Sequence, residues 1–516
     1  MGQNATSGVR GTFTFQETAM KRHLGLLAFA PLALLALAGC SDDDGADDAA
    51  LDATAGSCTV EDMGDGTSEI RCPDGSKVTI DNGRTGAPGR DGAKGKDGLD
   101  GANGKDGKDG KDVESPCVLT ENGDGTHSLT CGDKSVVIGA PCDSGFPFPV
   151  IVTNPDDQAS SLLTLFQVTT CTWIRGDVLI DDYDREELPA ALARIEKIDG
   201  DLVVGSNESL LQVSFPVLKT VAGEVTVEAN ESLLQVSLPA LETVGGNLFV
   251  ANNPSLTATS FPALESVSEG LVWVNNESLE SVGEFPELVG VRGLVWMTNP
   301  KLAKTPAFPK LAEIGWTLMW DDNAALTETL DFPALESVGL GEAPDEDDVP
   351  HGIIWFGNAA LEKTGNFPAL VTVAGELAWV QNESLVSTGD FALLETMDGT
   401  LVVGANGALE TLGSFESLTS LDVLYVEDND KLTALPDFSA LTSVGGVTVQ
   451  NNAELTSVEG LSSIAVVERD FYVRNNAKLP ICDVVSVIEA IQTVDGIGGV
   501  IDYSGNDETD TSCLVN

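Results

Sequence analysis

From about residue 168 onward, apolar and polar positions alternate in short runs that return every 23 or 24 residues. Aligned segments read "GEVTVEANESLLQVSLPALETVG" from Gly223, "GNLFVANNPSLTATSFPALESVS" from Gly246 and "GELAWVQNESLVSTGDFALLETMD" from Gly375. In each, the residues five and three before an asparagine are apolar, the period-two signature of a short strand with one face inward. The asparagine stands at Asn207, Asn230, Asn253, Asn276, Asn299, Asn323, Asn358, Asn382, Asn406, Asn429, Asn452 and Asn476. The one long interval, Asn323 to Asn358, holds an insertion around "GLGEAPDEDDVPH". An asparagine closing a strand predicts a corner, because its amide can satisfy backbone groups that no ladder reaches there. Leucine three residues later and the following "FPxLxxV" predict a second inward edge, with proline where a strand begins. One such turn cannot bury its apolar face alone, so neighbours must stack. The pattern predicts a mainly β, right-handed, strand-rich solenoid of about a dozen coils.

Five coils depart from the common pattern. Trp273, Trp296, Trp320, Trp355 and Trp379 each stand three residues before their asparagine, an inward position in this register. They are expected to form a buried aromatic ladder in a wider part of the solenoid. The opposite strand face carries Thr226, Glu228, Glu427, Thr448 and Gln450 toward the ends, but Val272, Val274, Val295, Met297, Met319, Ile354 and Phe356 in the middle. A solvent-facing apolar patch several strands wide is rarely left uncovered and marks a candidate binding face, to be covered by an external ligand, by sister chains or by the acidic insertion at 340–351 folded over it. A one-residue slip would exchange the faces and display the tryptophans instead, which suit carbohydrate or aromatic ligands.

Ahead of the repeats the chain changes character several times. Residues 1–39 comprise an N-terminal extension and an export signal: Lys21 and Arg22 precede an apolar run, Leu24 to Ala38, too short for a comfortable membrane span. The run ends in "LAGC", Leu37 to Cys40, and an acidic tether, residues 40–56, follows. This arrangement resembles the lipobox of bacterial lipoproteins, which implies cleavage before Cys40 and lipidation of its thiol. Residues 57–82 and 113–145 each contain two cysteines bracketing a turn-centred alternation, Cys58 with Cys72 and Cys117 with Cys131 at equal separation. Each predicts a small cystine hairpin, a unit too small to be held by a core of its own.

Between the hairpins, residues 83–112 place glycine at every third position from Gly83 through Gly110. Only glycine fits the axis of a collagen triple helix, and the "GKD" triplets set lysine beside aspartate where staggered chains bring opposite charges together. The segment resembles bacterial collagen-like proteins and predicts a homotrimeric stalk; a flexible soluble spacer is the alternative.

The 146–516 region, with its front "CTWIRGDVLI" from Cys171 and its exit "LPICDVV" and "DYSGNDETDTSC", resembles the receptor L-domain, a leucine-rich-repeat relative. The resemblance implies capping cystines, Cys142 with Cys171 at the front and Cys482 with Cys513 at the end, and a ligand-binding role. It carries no kinase or membrane span after the repeats, so transmembrane signalling is not expected.

A net charge of −54 disfavours nucleic acid and anionic headgroups as partners. The three histidines have no nucleophile motif beside them, carboxylates are too abundant to single out a catalytic pair, and no P-loop or H-E-x-x-H occurs. The acidic insertion, with Glu342, Asp345, Glu346, Asp347 and Asp348, lacks an ordered calcium-loop spacing. No enzyme, metal or cofactor is expected. The sequence predicts a lipid-anchored, surface-exposed envelope protein, in the outer membrane, whose solenoid head recognises a surface protein or carbohydrate. A structural spacer without a ligand is the rival.

Overall fold

The computed structural model describes residues 150–152, 171–341, 351–492 and 496–515, together with six short strands between residues 59 and 138. The long repeats form a parallel solenoid. Its main sheet runs from Val178–Asp181 through Leu202–Gly205, Val225–Glu228, Leu248–Ala251, Ser266–Val274, Gly290–Met297, Glu313–Asp321, Gly352–Phe356, Glu376–Val380, Thr400–Gly404, Val423–Glu427 and Gly446–Gln450 to Phe471–Arg474. Each strand pairs in parallel with the next coil's strand at the same repeat position, so Val250 faces Trp273 and Trp355 faces Trp379. The residues five and three before each asparagine fill the core as the alternation requires: Leu294, Leu318, Ile353 and Leu377 are fully buried beside the tryptophans.

The asparagines form one continuous hydrogen-bonded ladder. Asn299 Nδ2 donates to the Trp273 carbonyl at 3.0 Å, to the Met297 carbonyl at 3.0 Å and to Asn323 Oδ1 at 3.4 Å, while its backbone N–H donates to that same Oδ1 at 3.2 Å. Its own Oδ1 accepts from Asn276 in the same way. Every amide therefore closes its own corner and the next one, and all of these asparagines are fully buried. The ladder extends past the last periodic asparagine: Asn476 donates to Asn506, and at the front the Tyr183 N–H donates to Asn207 Oδ1 at 2.8 Å. The "NES" motifs at Asn207, Asn230, Asn276 and Asn382 are thus ladder rungs with committed amides.

The corner also demands a left-handed residue just before the asparagine. Ala229, Asn275 and Thr298 hold φ of 53°, 55° and 53° there, whereas the coils of Asn358 and Asn506 use Gly357 and Gly505. A β-branched residue in this region carries a penalty of roughly 1–2 kcal/mol, partly offset by its smaller unfolded-state entropy. Thr298 is exposed and packs nothing into the core. Thr298→Gly is expected to raise stability by about 0.5–1 kcal/mol, seen as a higher urea midpoint at unchanged slope.

The second side of each coil differs from expectation. Proline in "FPxL" does not begin a strand; Phe215-Pro216-Val217-Leu218 is a turn in which the Leu218 N–H donates to the Phe215 carbonyl at 3.4 Å. Proline at the second position of such a turn has its φ already set. The strand comes before it, as in Gln212–Ser214, Gln235–Ser237 and Ala258–Ser260, which form a small parallel sheet of their own. The phenylalanines face inward and stack from coil to coil, Phe332 on Phe367 at 5.2 Å and Phe367 on Phe391 at 5.0 Å.

At the far end a helix, Ile481–Gln492, replaces the strand pattern and packs Val484, Val487, Ile488 and Ile491 onto the last coil. The Cys482–Cys513 disulfide ties this cap, with Cα atoms 5.5 Å apart. Each small cysteine unit also holds one strand more than a hairpin. Thr59–Asp62, Thr67–Arg71 and Lys77–Asp81 pair antiparallel in that order, and Val118–Glu121, His127–Cys131 and Lys134–Ile138 form a second three-stranded sheet. The lipobox, the collagen-like triplets and Cys58, Cys72, Cys117 and Cys142 lie outside the described residues.

Candidate functional site

On the outer face of the main sheet, the residues four and two before each asparagine form two columns that run the length of the solenoid. Pairing brings Val272, Val295, Met319, Ile354 and Ala378 into one column and Val274, Met297, Asp321, Phe356 and Val380 into the other. The structure therefore gathers every residue of the predicted binding face on one surface.

Their exposure corrects the expectation of a solvent-facing patch. Met319 and Ile354 are 1% and 0% exposed and Phe356 and Val274 only 4% and 3%, while Val272, Val295 and Met297 are half-buried. Met319, Ile354, Phe356, Ala378 and Val380 form a second apolar cluster, separate from the core, with Val295, Met297 and Val402 packed against it. Strands in register about 4.8 Å apart bring like side chains flank to flank, which covers the sides of large apolar groups along a column. The tryptophans take the inward register. All five are fully buried and stack in near-parallel pairs, Trp320 on Trp355 at 5.0 Å and Trp355 on Trp379 at 5.1 Å. The alternative register, with displayed tryptophans, does not occur.

Beyond Val402 the outer face turns polar. Tyr425, Thr448 and Tyr472 continue the first column and Glu427, Gln450 and Arg474 the second, with Asp502 completing the first. Hydrogen bonds run across these strands. The Tyr425 hydroxyl donates to Glu427, Gln450 Nε2 to Glu427 Oε1 at 2.8 Å, and Arg474 Nε to Gln450 Oε1 at 2.8 Å. Arg474 Nη1 then donates to Asp502 Oδ2 at 2.9 Å, the Ser504 hydroxyl to Asp502 Oδ1 at 2.7 Å, and the guanidinium lies 5.2 Å from the Tyr472 ring centre. The repeat register places Tyr472 and Arg474 on this face, four and two residues before Asn476, whereas Asp502 lies beyond the last periodic asparagine and joins them only once the coils are stacked.

The electrostatics follow from these contacts. Burial, reinforced by the Glu427 carboxylate, pushes the Tyr425 phenol well above its ordinary range. The Ser504 hydroxyl, with Arg474 beside it, holds Asp502 below the usual carboxylate range. At the other end of the face, burial raises Glu228, and at the start of a central strand it raises Glu376, with His351 opposing the shift. Among the described residues no group of three or more His, Cys, Asp or Glu is placed to hold a metal. Also among them, no helix is long and apolar enough to cross a membrane.

Of the predicted cystines, Cys482–Cys513 is formed. Cys171 is buried and disulfide-bonded. The side chain of Cys131 and the lipidation site Cys40 fall outside what is described.

The stacked parallel coils and their buried asparagine corners define a strand-rich parallel solenoid. Residues 170–279 match the family model of the Receptor L domain, which takes in the front coils through the first ladder tryptophan, Trp273. A solved leucine-rich repeat protein from Bacteroides ovatus aligns at 12% identity over 50% of this chain and 87% of that one, with a TM-score of 0.13. None of the curated proteins compared with the chain matches it.

Proposed function

We propose that this is a non-enzymatic recognition protein of the cell envelope that presents the outer strand face of its solenoid to a ligand. Lipid on Cys40 anchors it, the 83–112 segment lifts the head as a trimeric stalk or a flexible spacer, and the coils display the surface. One observation carries the reading. From coil to coil the inward positions keep to a few apolar types and the asparagine, whereas the outward columns change from valine to methionine, tyrosine, glutamate and arginine. A spacer needs only one solvated residue type repeated, while a recognition surface needs different groups at different coils.

The test is attachment of cells displaying the full chain to panels of glycans and surface proteins. Val272→Ser with Val295→Ser, or Arg474→Ala at the polar end, is expected to reduce attachment at least about tenfold in one case or the other. Cys40→Ser should release the protein from the cells. Attachment unchanged by all outer-face substitutions would leave the structural-spacer reading standing instead.

A further inference from the structure

We infer that the polar end of the outer face is a subsite for a neutral, extended, β-linked hexose chain. This inference rests on the recognition reading above and names its ligand class. Four features of the surface point the same way. The first is spacing. Tyr425, Thr448, Tyr472 and Asp502 are register neighbours on successive parallel strands. Successive strands lie about 4.8 Å apart, close to the advance per residue of an extended β-linked hexose chain, so each coil can offer equivalent contacts to each successive sugar.

The second feature is hydrogen-bonding character. A sugar hydroxyl donates and accepts at once, so it is best met by a donor and an acceptor side by side. The Glu427–Gln450–Arg474–Asp502 chain alternates these along the surface, and each planar group is already oriented by its neighbour at 2.8–2.9 Å. Such pre-organisation removes much of the ordering cost of binding. Arg474 keeps Nη2 beyond the bonds that orient it.

The third feature is the pair of tyrosines flanking Thr448, whose rings supply amphipathic surface for the C–H faces of a pyranose. The fourth is charge. Glu427 and Asp502 outnumber Arg474, whose guanidinium is already paired, so a sulfated, phosphorylated or carboxylated ligand meets net repulsion. A neutral polyol meets none. The apolar middle of the face, by contrast, has no such donor and acceptor sequence.

The probe is a β-1,4-linked glucose tetramer, titrated calorimetrically into the full chain alongside its dimer and a sulfated tetramer. The neutral tetramer should bind more tightly than the dimer, and the sulfated one should bind least. Arg474→Ala and Tyr472→Ala should each weaken the tetramer about tenfold or more, with tryptophan emission and thermal midpoint reporting that the head stays folded. Leu234→Ser, exposed and outside both outer columns, should leave that affinity unchanged. Absence of tetramer binding, stronger binding of the sulfated chain, or binding indifferent to Arg474 and Tyr472 would overturn the inference. If the tetramer fails while attachment to another ligand is lost in outer-face variants, this subsite assignment falls and the recognition reading stands. If no outer-face variant changes anything, both fall.

Discussion

Asn299→Leu is expected to lower the unfolding free energy by about 3–5 kcal/mol, although the replacement is apolar and of similar size. The loss does not come from packing. Removing this amide takes a donor from the Trp273 and Met297 carbonyls and from Asn323 Oδ1, costs Asn276 Nδ2 one of its acceptors, and leaves the Asn276 N–H without the Oδ1 it donates to. Asn276, Asn323 and Trp273 are fully buried, so water cannot replace the bonds lost there and the unpaired Asn276 N–H carries its full desolvation cost. Urea unfolding followed by tryptophan emission measures the loss, and hydrogen exchange should show it concentrated in the coils on either side. Asn299→Asp adds a signed pH test. The new carboxyl, buried among acceptors, has a folded pKa above its unfolded one, so its protonated form suits the corner and its ionised form does not. Stability of that variant should be highest below the unfolded carboxyl pKa and fall as pH rises through the raised folded value. A variant whose stability climbed with pH over that range would contradict the ladder.

Trp320→Ala should cost a comparable amount, about 3–5 kcal/mol, by the opposite mechanism. Trp320 is fully buried between Trp296 at 5.6 Å and Trp355 at 5.0 Å, with Phe332 edge-on at 6.0 Å. Its truncation opens a hole in the middle of a stack whose other rings are fixed by their own coils, so collapse is limited. The indole Nε1 has no hydrogen-bond acceptor among the described residues, nor do those of the other four ladder tryptophans. Each costs something on burial that the ring's apolar area must outweigh. Trp320→Phe should therefore be far milder than Trp320→Ala, because it keeps aromatic volume and discards the unpaired donor. Exciton coupling in near-ultraviolet circular dichroism gives a second readout, and it should weaken most for substitutions at the centre of the stack and least at Trp273 or Trp379.

The repeat register, the inward tryptophans and the corner asparagines were all legible in the sequence, because each is a local rule repeated at constant spacing. Tyr183 and Asn506, the ladder's ends, were not. Asn506 stands 30 residues after Asn476, displaced by the helix Ile481–Gln492, and Tyr183 offers only its backbone N–H. The turn role of proline was misread for a related reason: "FP" marks both a strand start and a turn, and only the Leu218 to Phe215 hydrogen bond separates them. The outer face was legible as a set of residues but not in its exposure. Whether Ile354 meets solvent depends on what lies over a sheet, and no periodicity encodes that. Glu427 and Gln450 were legible as outer-face positions, but the network joining them to Arg474 and Asp502 was not, since its hydrogen bonds run across coils and follow no motif along the chain.

The rung between Asn323 and Asn358 spans 35 residues, yet its bonds, 3.1 and 3.3 Å, match those of rungs formed across 23. The ladder measures coils and ignores the chain length between them. Gene duplications or losses of whole repeats would thus lengthen or shorten this molecule in steps of one strand spacing without disturbing any other corner. Extra sequence is tolerated between Gly341 and His351, whereas one residue gained or lost between a strand and its asparagine would throw that coil out of step. Such a scaffold lets recombination vary the outward surface while its inner grammar stays fixed.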